Sequence, residues 1–250
     1  MGLGLGINLN KGGATESWTP LVLGSTLDLW LQYNTGITSD GGSPDLVSQW
    51  ADQSGNSRHA TQSTDAAKPS VTSGYLDFED TSVNDYMDIA TGTGALGYGH
   101  PNPFTIVIAL RREDAGTDRF IGSTSAEFVG LVGDLSKIQT RAAGTNGALV
   151  VLTMDDDYFT TGSDYILTVT KDSSGNILVY KNSDVLAESG GGTSQQIGTD
   201  MDLTFIGSSV SSDHVNALDG RIYEVIVCDT VLSTSDRNST IDYLTGKLGF

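Results

Sequence analysis

One stretch of the chain, "WADQSGNSRHATQ" at residues 50–62, brings together residue types that could do chemistry. Serine, histidine and aspartate form hydrolase triads, in which the histidine takes the serine proton and the aspartate orients the histidine. A triad is recognised by its geometry in space, so the order of these residues along the chain decides nothing. The sequence contains no G-x-S-x-G turn that would hold a serine nucleophile. A decorated turn is therefore the favoured interpretation.

The same stretch has the composition of a tight turn between two strands. Trp50 is expected to anchor a strand end in the core, while Asp52 accepts backbone hydrogen bonds across Ser54, Gly55 and Asn56. Either the glycine or the asparagine should adopt the left-handed conformation that these residue types tolerate. We predict an architectural role for this turn, so that Asp52→Ala should lower stability.

Histidine and cysteine chemistry is poorly supported elsewhere in the chain. His59, His100 and His214 all lie in turn-like surroundings, which are typical of solvated side chains. Cys228 is the single cysteine, so the chain has no internal disulfide framework and no thiolate metal cluster. It lies in an apolar run, where core packing is expected.

Hard-metal binding is an open alternative, because acidic turns could supply oxygen ligands for calcium. The candidates are "DFED" at residues 77–80 and the run Asp155, Asp156 and Asp157. Neither has the ligand spacing of an EF-hand. We take Asp155 to Asp157 as the candidate calcium site, against the alternative of a solvated acidic loop.

Glycan binding would need exposed aromatic rings that stack on sugars beside fixed polar groups. Trp30 and Trp50 fall in strand-like segments and are expected in the core. Tyr86, Tyr98 and Tyr158 lie closer to loops and are the candidate glycan-binding residues.

Composition and length predict one all-β domain. The chain has 250 residues, of which 31 are glycine, with many Ser, Thr, Asn and Asp residues that are typical of short strands joined by turns. Residues 1–22 are glycine-rich and weakly patterned, and we predict an extended N-terminal arm that is anchored by Trp18 and Leu21. Residues 23–250 form the predicted domain.

Charge and hydropathy exclude several partners. Thirteen basic residues against 31 acidic ones give a net charge of -18, so phosphate backbones and anionic membrane surfaces would be repelled. No apolar run reaches the length of a membrane span. The start "MGLGLGINLNKGG" lacks the pattern of a secretion signal, and we expect a protein that is made in a cytoplasm.

Hydrophobic patterning predicts an antiparallel sandwich of roughly ten to fourteen strands. In "PFTIVIALRRE", both alternating faces are apolar, which indicates a central strand. "LDLWLQY" alternates with period two, and "DYILTVTKDSSGNILVYKNSDVL" predicts a meander with turns at residues 172–176 and 181–184. Only the last twenty residues look helical: Ser233 can cap a helix whose apolar stripe is Ile241, Leu244 and Leu248.

Several motifs in this order carry a family resemblance: "LDLWLQY", "VSQWADQSGNSRHATQ" followed by Pro69, "DGRIYEVIVCDTVLS" and "YLTGKLG". Over residues 25–250 the chain resembles concanavalin A-like, LamG-type jelly-roll domains of bacterial, marine and phage proteins. The resemblance implies a concanavalin A-like antiparallel two-sheet jelly-roll sandwich with a short C-terminal helix. It also implies a choice among glycan binding, adhesion and a purely structural role, because function depends on sites rather than on the fold.

The N-terminal "MGLGLGINLNKGG" resembles the start of LamG-containing structural proteins of marine tailed phages. This implies a virion structural protein, attached by its arm to capsid, neck or tail proteins. The alternative is a carbohydrate-binding adhesin for a host-surface glycan. Related glucanases carry an E-x-D-x-x-E strand, which this chain lacks, so we expect no enzyme. Whether the protein forms a homo-oligomer is left open.

Overall fold

A computed structural model describes most of the chain from residue 17 onward. The described residues are 17–79, 83–89, 96–99, 101–114, 116–124, 127–132, 137–143, 149–153, 159–186, 201–208 and 216–249. The N-terminal segment 1–16 lies outside this set.

The described residues form nineteen strands, two short 3-10 helices and one α-helix. The 3-10 helices are Pro20–Thr26 and Asp65–Ala67, and the α-helix, α1, is Thr234–Leu248. The strands are, in chain order, β1 (Leu27–Leu31), β2 (Ile37–Ser39), β3 (Val47–Trp50), β4 (Ala60–Thr61), β5 (Ser70–Thr72), β6 (Tyr75–Phe78), β7 (Met87–Ile89), β8 (Leu96–Gly97), β9 (Phe104–Arg112), β10 (Arg119–Thr124), β11 (Glu127–Val132), β12 (Lys137–Ala143), β13 (Leu149–Thr153), β14 (Asp164–Lys171), β15 (Ile177–Lys181), β16 (Asp184–Val185), β17 (Asp202–Leu203), β18 (Phe205–Ile206) and β19 (Gly220–Cys228).

These strands build two large sheets and a small one. The first sheet has the order β16-β15-β14-β9-β19-β6-β5, with β1 also paired to β19. The second sheet has the order β13-β12-β11-β10-β18-β7-β4-β3-β2, and β17 pairs with β8. All of these strand pairs are antiparallel, as expected where connections are too short for crossover helices.

The predicted fold class is confirmed: the chain is an all-β, antiparallel two-sheet jelly-roll sandwich with one short C-terminal helix. The predicted strand number is too low, since the described residues alone contain nineteen strands. Many of them have only two or three residues, because bulges and turns interrupt longer runs that the hydrophobic pattern presents as single strands. The predicted meander turns are present, between β14 and β15 and between β15 and β16.

The main core lies between the two sheets. Strand β9 is central, between β14 and β19, and Ile106, Ile108 and Leu110 point into this core. Val107 and Ala109 point the other way and are equally buried. The prediction of a strand covered on both faces is therefore confirmed, and Trp50 is fully buried in the main core as expected.

The period-two pattern of β1 is only partly realised. Leu29 and Leu31 enter the main core, but Leu27 packs with Trp30 on the outer face of the first sheet. The pairing of β1 with β19 shifts register between Leu27 and Leu29, which turns Leu27 to the side opposite to the predicted one. Such an irregularity breaks strict alternation without changing the sequence pattern.

A second, smaller core lies between the outer face of the first sheet and α1. Ile241 and Leu244 are buried there against Trp30 and Cys228, with Leu248 packed at the margin. The helix starts as predicted, because Ser233 accepts a hydrogen bond from the Asp236 backbone N–H at 3.1 Å. Gly249 ends it in the left-handed conformation.

The segment before β1 is compact rather than extended in its described part. Pro20–Thr26 forms a 3-10 helix that the sequence analysis did not predict, and Leu23 packs on the outer core. Leu21, which was expected to anchor the arm, is 55% exposed. The boundary between an arm and the domain stays a prediction.

Candidate functional site

A β-bulge in β19 turns two polar side chains to the outer face of the first sheet. Where β19 pairs with β9, the register shifts between Ile222 and Glu224, so that Tyr223 and Glu224 together oppose Ala109. Ile222 and Val225 point into the main core on either side. Bulges re-aim side chains in this way and are frequent beside functional sites.

Glu224 is fully buried, and its carboxylate is surrounded by hydrogen-bond donors. Its Oε1 accepts from the indole N–H of Trp30 at 2.6 Å and from the Tyr243 hydroxyl at 3.0 Å. Its Oε2 accepts from the Lys247 ammonium at 2.9 Å and from the Tyr33 backbone N–H at 3.1 Å. Such partners compensate for the burial of a polar group, and these four tie α1 to β1 and β19.

One face of α1 carries the side chains that Glu224 supports. Ser239, Tyr243 and Lys247 recur every four residues and so lie on one side of the helix, with Asp242 and Gly246 beside them. The buried residues of α1 follow a different stripe, which faces the sheet. The helix is therefore divided between packing and a second, partly exposed surface.

This surface and the segment before the first 3-10 helix line an open pocket of about 510 Å³, which we call the helix pocket. It is lined by Ser17 and Trp18 from that segment and by Ser239, Asp242, Tyr243, Gly246 and Lys247 from α1. The rings of Trp18 and Tyr243 are partly exposed and in contact, with centroids 5.8 Å apart and planes tilted by 57°. The volume lies in the range of small-molecule sites, about 300–1,000 Å³.

Electrostatics determine which hydrogen bonds Tyr243 and Lys247 make in the helix pocket. Burial, followed by the adjacent Glu224 carboxylate, raises the pKa of Tyr243, so its hydroxyl keeps its proton. The Lys247 ammonium donates to that hydroxyl at 2.8 Å and lies 5.1 Å from the centre of the Tyr243 ring. Both side chains are thus held in place before any ligand arrives.

The structure corrects one of the three tyrosines predicted to bind glycans. Tyr98 is 3% exposed, and its hydroxyl donates to Asp28 Oδ2 at 2.7 Å, so its ring is not available for stacking on a sugar. Tyr86 is partly exposed, but it precedes β7 of the second sheet, packs on Phe205 and does not line the helix pocket. Tyr158 lies outside the described residues.

The opening turn is built around the Asp52 carboxylate, which is 8% exposed. Oδ1 accepts from the backbone N–H groups of Trp30 and Ser54 at 3.0 and 2.8 Å. Oδ2 accepts from the Ser54 hydroxyl at 2.8 Å and from the Arg58 N–H at 3.0 Å. Gly55 takes a positive φ of 96°. These bonds hold the turn against the start of β1.

The neighbours of this carboxylate complete the turn but do not form a triad. The Asn56 amide donates to the Leu27 carbonyl oxygen at 2.8 Å. The Ser54 hydroxyl bonds the carboxylate rather than an imidazole, and His59 Nδ1 accepts from the Asp52 backbone N–H at 3.1 Å. In a triad the serine bonds the histidine and the carboxylate orients that histidine, so the arrangement here differs in both links. His100 and His214 lie outside the described residues.

The candidate calcium ligands Asp155, Asp156 and Asp157 also lie outside the described residues. Within the part of the chain that the structure describes, no group of three or more His, Cys, Asp or Glu side chains is arranged to hold a metal ion. Of the "DFED" carboxylates, Asp77 lies 3.8 Å from Arg221, in a weak ion pair. Calcium binding stays a prediction without a described site.

Three residues of the helix pocket region were missed by the sequence analysis. Glu224, Tyr243 and Lys247 were treated only as parts of a closing strand and a docking helix. One signal was available, because Glu224 interrupts the apolar run "RIYEVIVC", and a charge within a buried strand points to a dedicated partner. The four-residue spacing of Tyr243 and Lys247 was a second signal.

Among the described residues, no helix is long and apolar enough to cross a membrane.

Comparison with known proteins establishes the fold. The sequence matches no protein-family model and no curated protein. Among solved structures, the binding domain of Paraclostridial Mosquitocidal Protein 1 is similar, with a TM-score of 0.60, 11% identity and coverage of 86% of this chain and 52% of that chain. Botulinum neurotoxin type C, which depends on two ganglioside molecules to enter cells, gives a TM-score of 0.54 and 12% identity, with 88% of this chain and 51% of that chain covered.

Trypanosoma rangeli sialidase is a further similar structure, with a TM-score of 0.50, 13% identity, and coverage of 89% of this chain and 33% of that chain. The chain therefore spans about half the length of the toxin structures that it matches. At this level of identity the likeness defines an antiparallel β-sandwich and carries no assignment of a ligand.

Proposed function

We propose that the chain is a non-enzymatic binding module that recognises a glycan through the helix pocket. The observation that carries this proposal is the pair of partly exposed rings, Trp18 and Tyr243, which line a 510 Å³ pocket beside fixed polar groups. Aromatic rings stack on the C–H faces of sugars, while hydroxyls, carboxylates and ammonium groups bond to the sugar oxygens.

The support beneath the helix pocket favours recognition by a preorganised surface. Glu224 holds Tyr243 and Lys247 through hydrogen bonds, so binding would require little ordering of either side chain. The fold adds support, since the structurally similar botulinum neurotoxin type C depends on gangliosides to enter cells. The hydrogen bonding around Ser54 and His59, together with the missing E-x-D-x-x-E strand, supports a role without catalysis.

The proposal is tested by screening the purified chain against a panel of immobilised glycans and then titrating it with the same glycans in solution. We expect saturable binding that Trp18→Ala weakens by about tenfold, because loss of one stacking ring removes about 1.5 kcal/mol. Trp18 lies outside both cores, so the melting temperature should change little.

Tyr86→Ala is the comparison variant, because Tyr86 is the other described candidate for glycan binding, is partly exposed and lies outside the helix pocket. Its removal should leave the affinity unchanged. If Tyr86→Ala rather than Trp18→Ala abolished binding, the glycan site would lie on the second sheet instead. Absence of binding across the whole panel would contradict the proposal itself.

A second candidate is a structural protein of a tailed-phage virion, attached to capsid, neck or tail proteins through its N-terminal arm. The specific observation in its favour is the resemblance of "MGLGLGINLNKGG" to phage structural proteins. The acidic surface would also keep many copies on one particle from aggregating. Both roles can coexist, since a particle-bound module can also adhere to cells.

Deletion of residues 1–16 separates the two candidates, because it spares Ser17 and Trp18 of the helix pocket. The deletion should abolish incorporation into particles, measured by mass spectrometry of purified virions, while glycan binding persists. Normal incorporation of the shortened chain would count against attachment by the arm.

A further inference from the structure

The charges that face the helix pocket restrict the kind of glycan it can take. Among the described residues that line the pocket, Lys247 carries the one positive charge, and its ammonium is paired with the buried Glu224 carboxylate at 2.9 Å. Asp242 adds an exposed negative charge at the rim, and within the described chain no lysine or arginine pairs with it. Within the described residues one ammonium thus stands against two carboxylates, which gives this part of the site a net negative charge.

An anionic sugar is disfavoured by this arrangement. A carboxylate or sulfate on the ligand would approach the Asp242 carboxylate without an unpaired cation to offset the repulsion. The net charge of -18 on the whole chain acts in the same direction.

The net negative charge attracts a cationic ligand, so the aromatic rings decide whether one can be held. Aromatic rings attract ammonium groups, but the Lys247 ammonium already lies 5.1 Å from the Tyr243 ring centre and 5.9 Å from that of Tyr33. A second cation at these rings would be repelled by the first.

An uncharged sugar meets neither obstacle and uses the groups that remain. Lys247 has three N–H donors, of which the described partners Glu224 and the Tyr243 hydroxyl take two, so a third can donate to a sugar oxygen. The Asp242 carboxylate can accept from two adjacent sugar hydroxyls, and Ser239 can donate or accept beside it. The ring of Trp18 provides a stacking face.

We infer that the ligand of the helix pocket is a neutral hexopyranose with adjacent hydroxyl groups, at the end or along the edge of a glycan. This inference rests on the proposed function and narrows it to a substrate class. It distinguishes the chain from a module that reads sialic acids or sulfated sugars.

The experiment is a glycan panel in which each neutral oligosaccharide is paired with its sialylated, sulfated and amino-sugar derivatives at the terminal residue. We expect the tightest ligands to be neutral, with an advantage of about tenfold over their sialylated and sulfated counterparts and a smaller one over the amino-sugar derivatives. Their affinity should hardly change between about 10 mM and 0.1 M salt, over which the Debye length falls from about 30 to 10 Å.

Asp242→Asn tests the assigned cause, with Asp184→Asn as a control that removes an exposed charge outside the pocket. The first variant should raise affinity for the anionic derivatives by about threefold, and the second by much less. Preference for charged glycans in the wild-type chain would overturn this inference but leave the proposed function standing. If no glycan of any charge bound, the proposed function itself would fail.

Discussion

Two buried carboxylates, Asp52 and Glu224, solve the same physical problem in different ways. Each accepts four hydrogen bonds, which compensate for the loss of water around its charge. Three of the four bonds to Asp52 come from Ser54 and Arg58, two and six residues away. Those to Glu224 come from Trp30 and Tyr33, 194 and 191 residues away, and from α1.

Trp30 connects the two networks, because its backbone N–H donates to Asp52 and its indole N–H donates to Glu224. The two networks therefore differ in how far along the chain the partners of each carboxylate lie. Asp52 stabilises a local turn beside β1, whereas Glu224 joins β1, β19 and α1 and holds two side chains of the helix pocket. Loss of Glu224 should accordingly affect both stability and binding, and loss of Asp52 stability alone.

The largest effect is expected for Glu224→Ala, at about 4 kcal/mol of unfolding free energy. The substitution leaves buried donors unpaired and removes the partner of Lys247, and breaking a buried pair in this way typically costs about 3–5 kcal/mol. Urea denaturation would measure the change, and any glycan affinity should fall as well.

Asp184→Asn is the control, since this exposed carboxylate at β16 should change stability by less than about 0.5 kcal/mol. Should Glu224→Ala destabilise the chain no more than this control, the view of Glu224 as a long-range connector would be wrong.

The second effect in size is expected for Asp52→Ala, at about 3 kcal/mol. Three backbone N–H groups and the Ser54 hydroxyl lose their acceptor, but the turn lies near the surface and water can replace part of the bonding. Thermal and urea denaturation would measure it. Glycan affinity of the folded variant should stay unchanged. Loss of an activity from a variant that remained folded would mean that the turn is more than architectural.

The same contrast between local and long-range partners explains what could be predicted from the sequence. The turn at Asp52 and the cap at Ser233 depend mostly on neighbours within a few residues, and β9 is marked by its own apolar residues on both faces. Each was predicted correctly in position. The helix pocket joins Trp18 to α1 across more than two hundred residues, and local patterns contain no information about that approach. The prediction for Tyr98 was wrong for the same reason. The burial of its ring depends on Asp28 and Phe104, which lie beside it only in the folded chain.

A third carboxylate, Asp85, sharpens the comparison because it accepts fewer hydrogen bonds from the described residues. In the described chain its side chain accepts from the Glu79 backbone N–H at 3.1 Å. Burial, together with repulsion from Glu79 and Asp77, raises the pKa of Asp85 to about 7. Between about pH 4 and 7 the folded chain holds a proton that the unfolded chain has released, so this group lowers stability as the pH rises through that window.

Asp85→Asn should reduce the fall in unfolding free energy between about pH 4 and 7 by about 2 kcal/mol. The value lies below the full effect of the pKa shift, since Asp85 borders a second, open pocket that water can enter. Urea midpoints measured from pH 4 to 8 would test it against wild type and Asp184→Asn. Parallel curves for wild type and Asp85→Asn would contradict the raised pKa of Asp85.

The smallest effect separates stability from binding at the helix pocket. Gly246 lies within α1, and a Cβ added there would meet no atom within 4 Å. Gly246→Ala should therefore stabilise the chain by about 0.5 kcal/mol, because alanine favours helix over glycine even near a helix end. The added methyl group would project into the helix pocket and should weaken glycan binding severalfold. A variant that gains stability while it loses affinity cannot be explained by misfolding, so calorimetry and titration of this one protein would distinguish a ligand site from a packing gap.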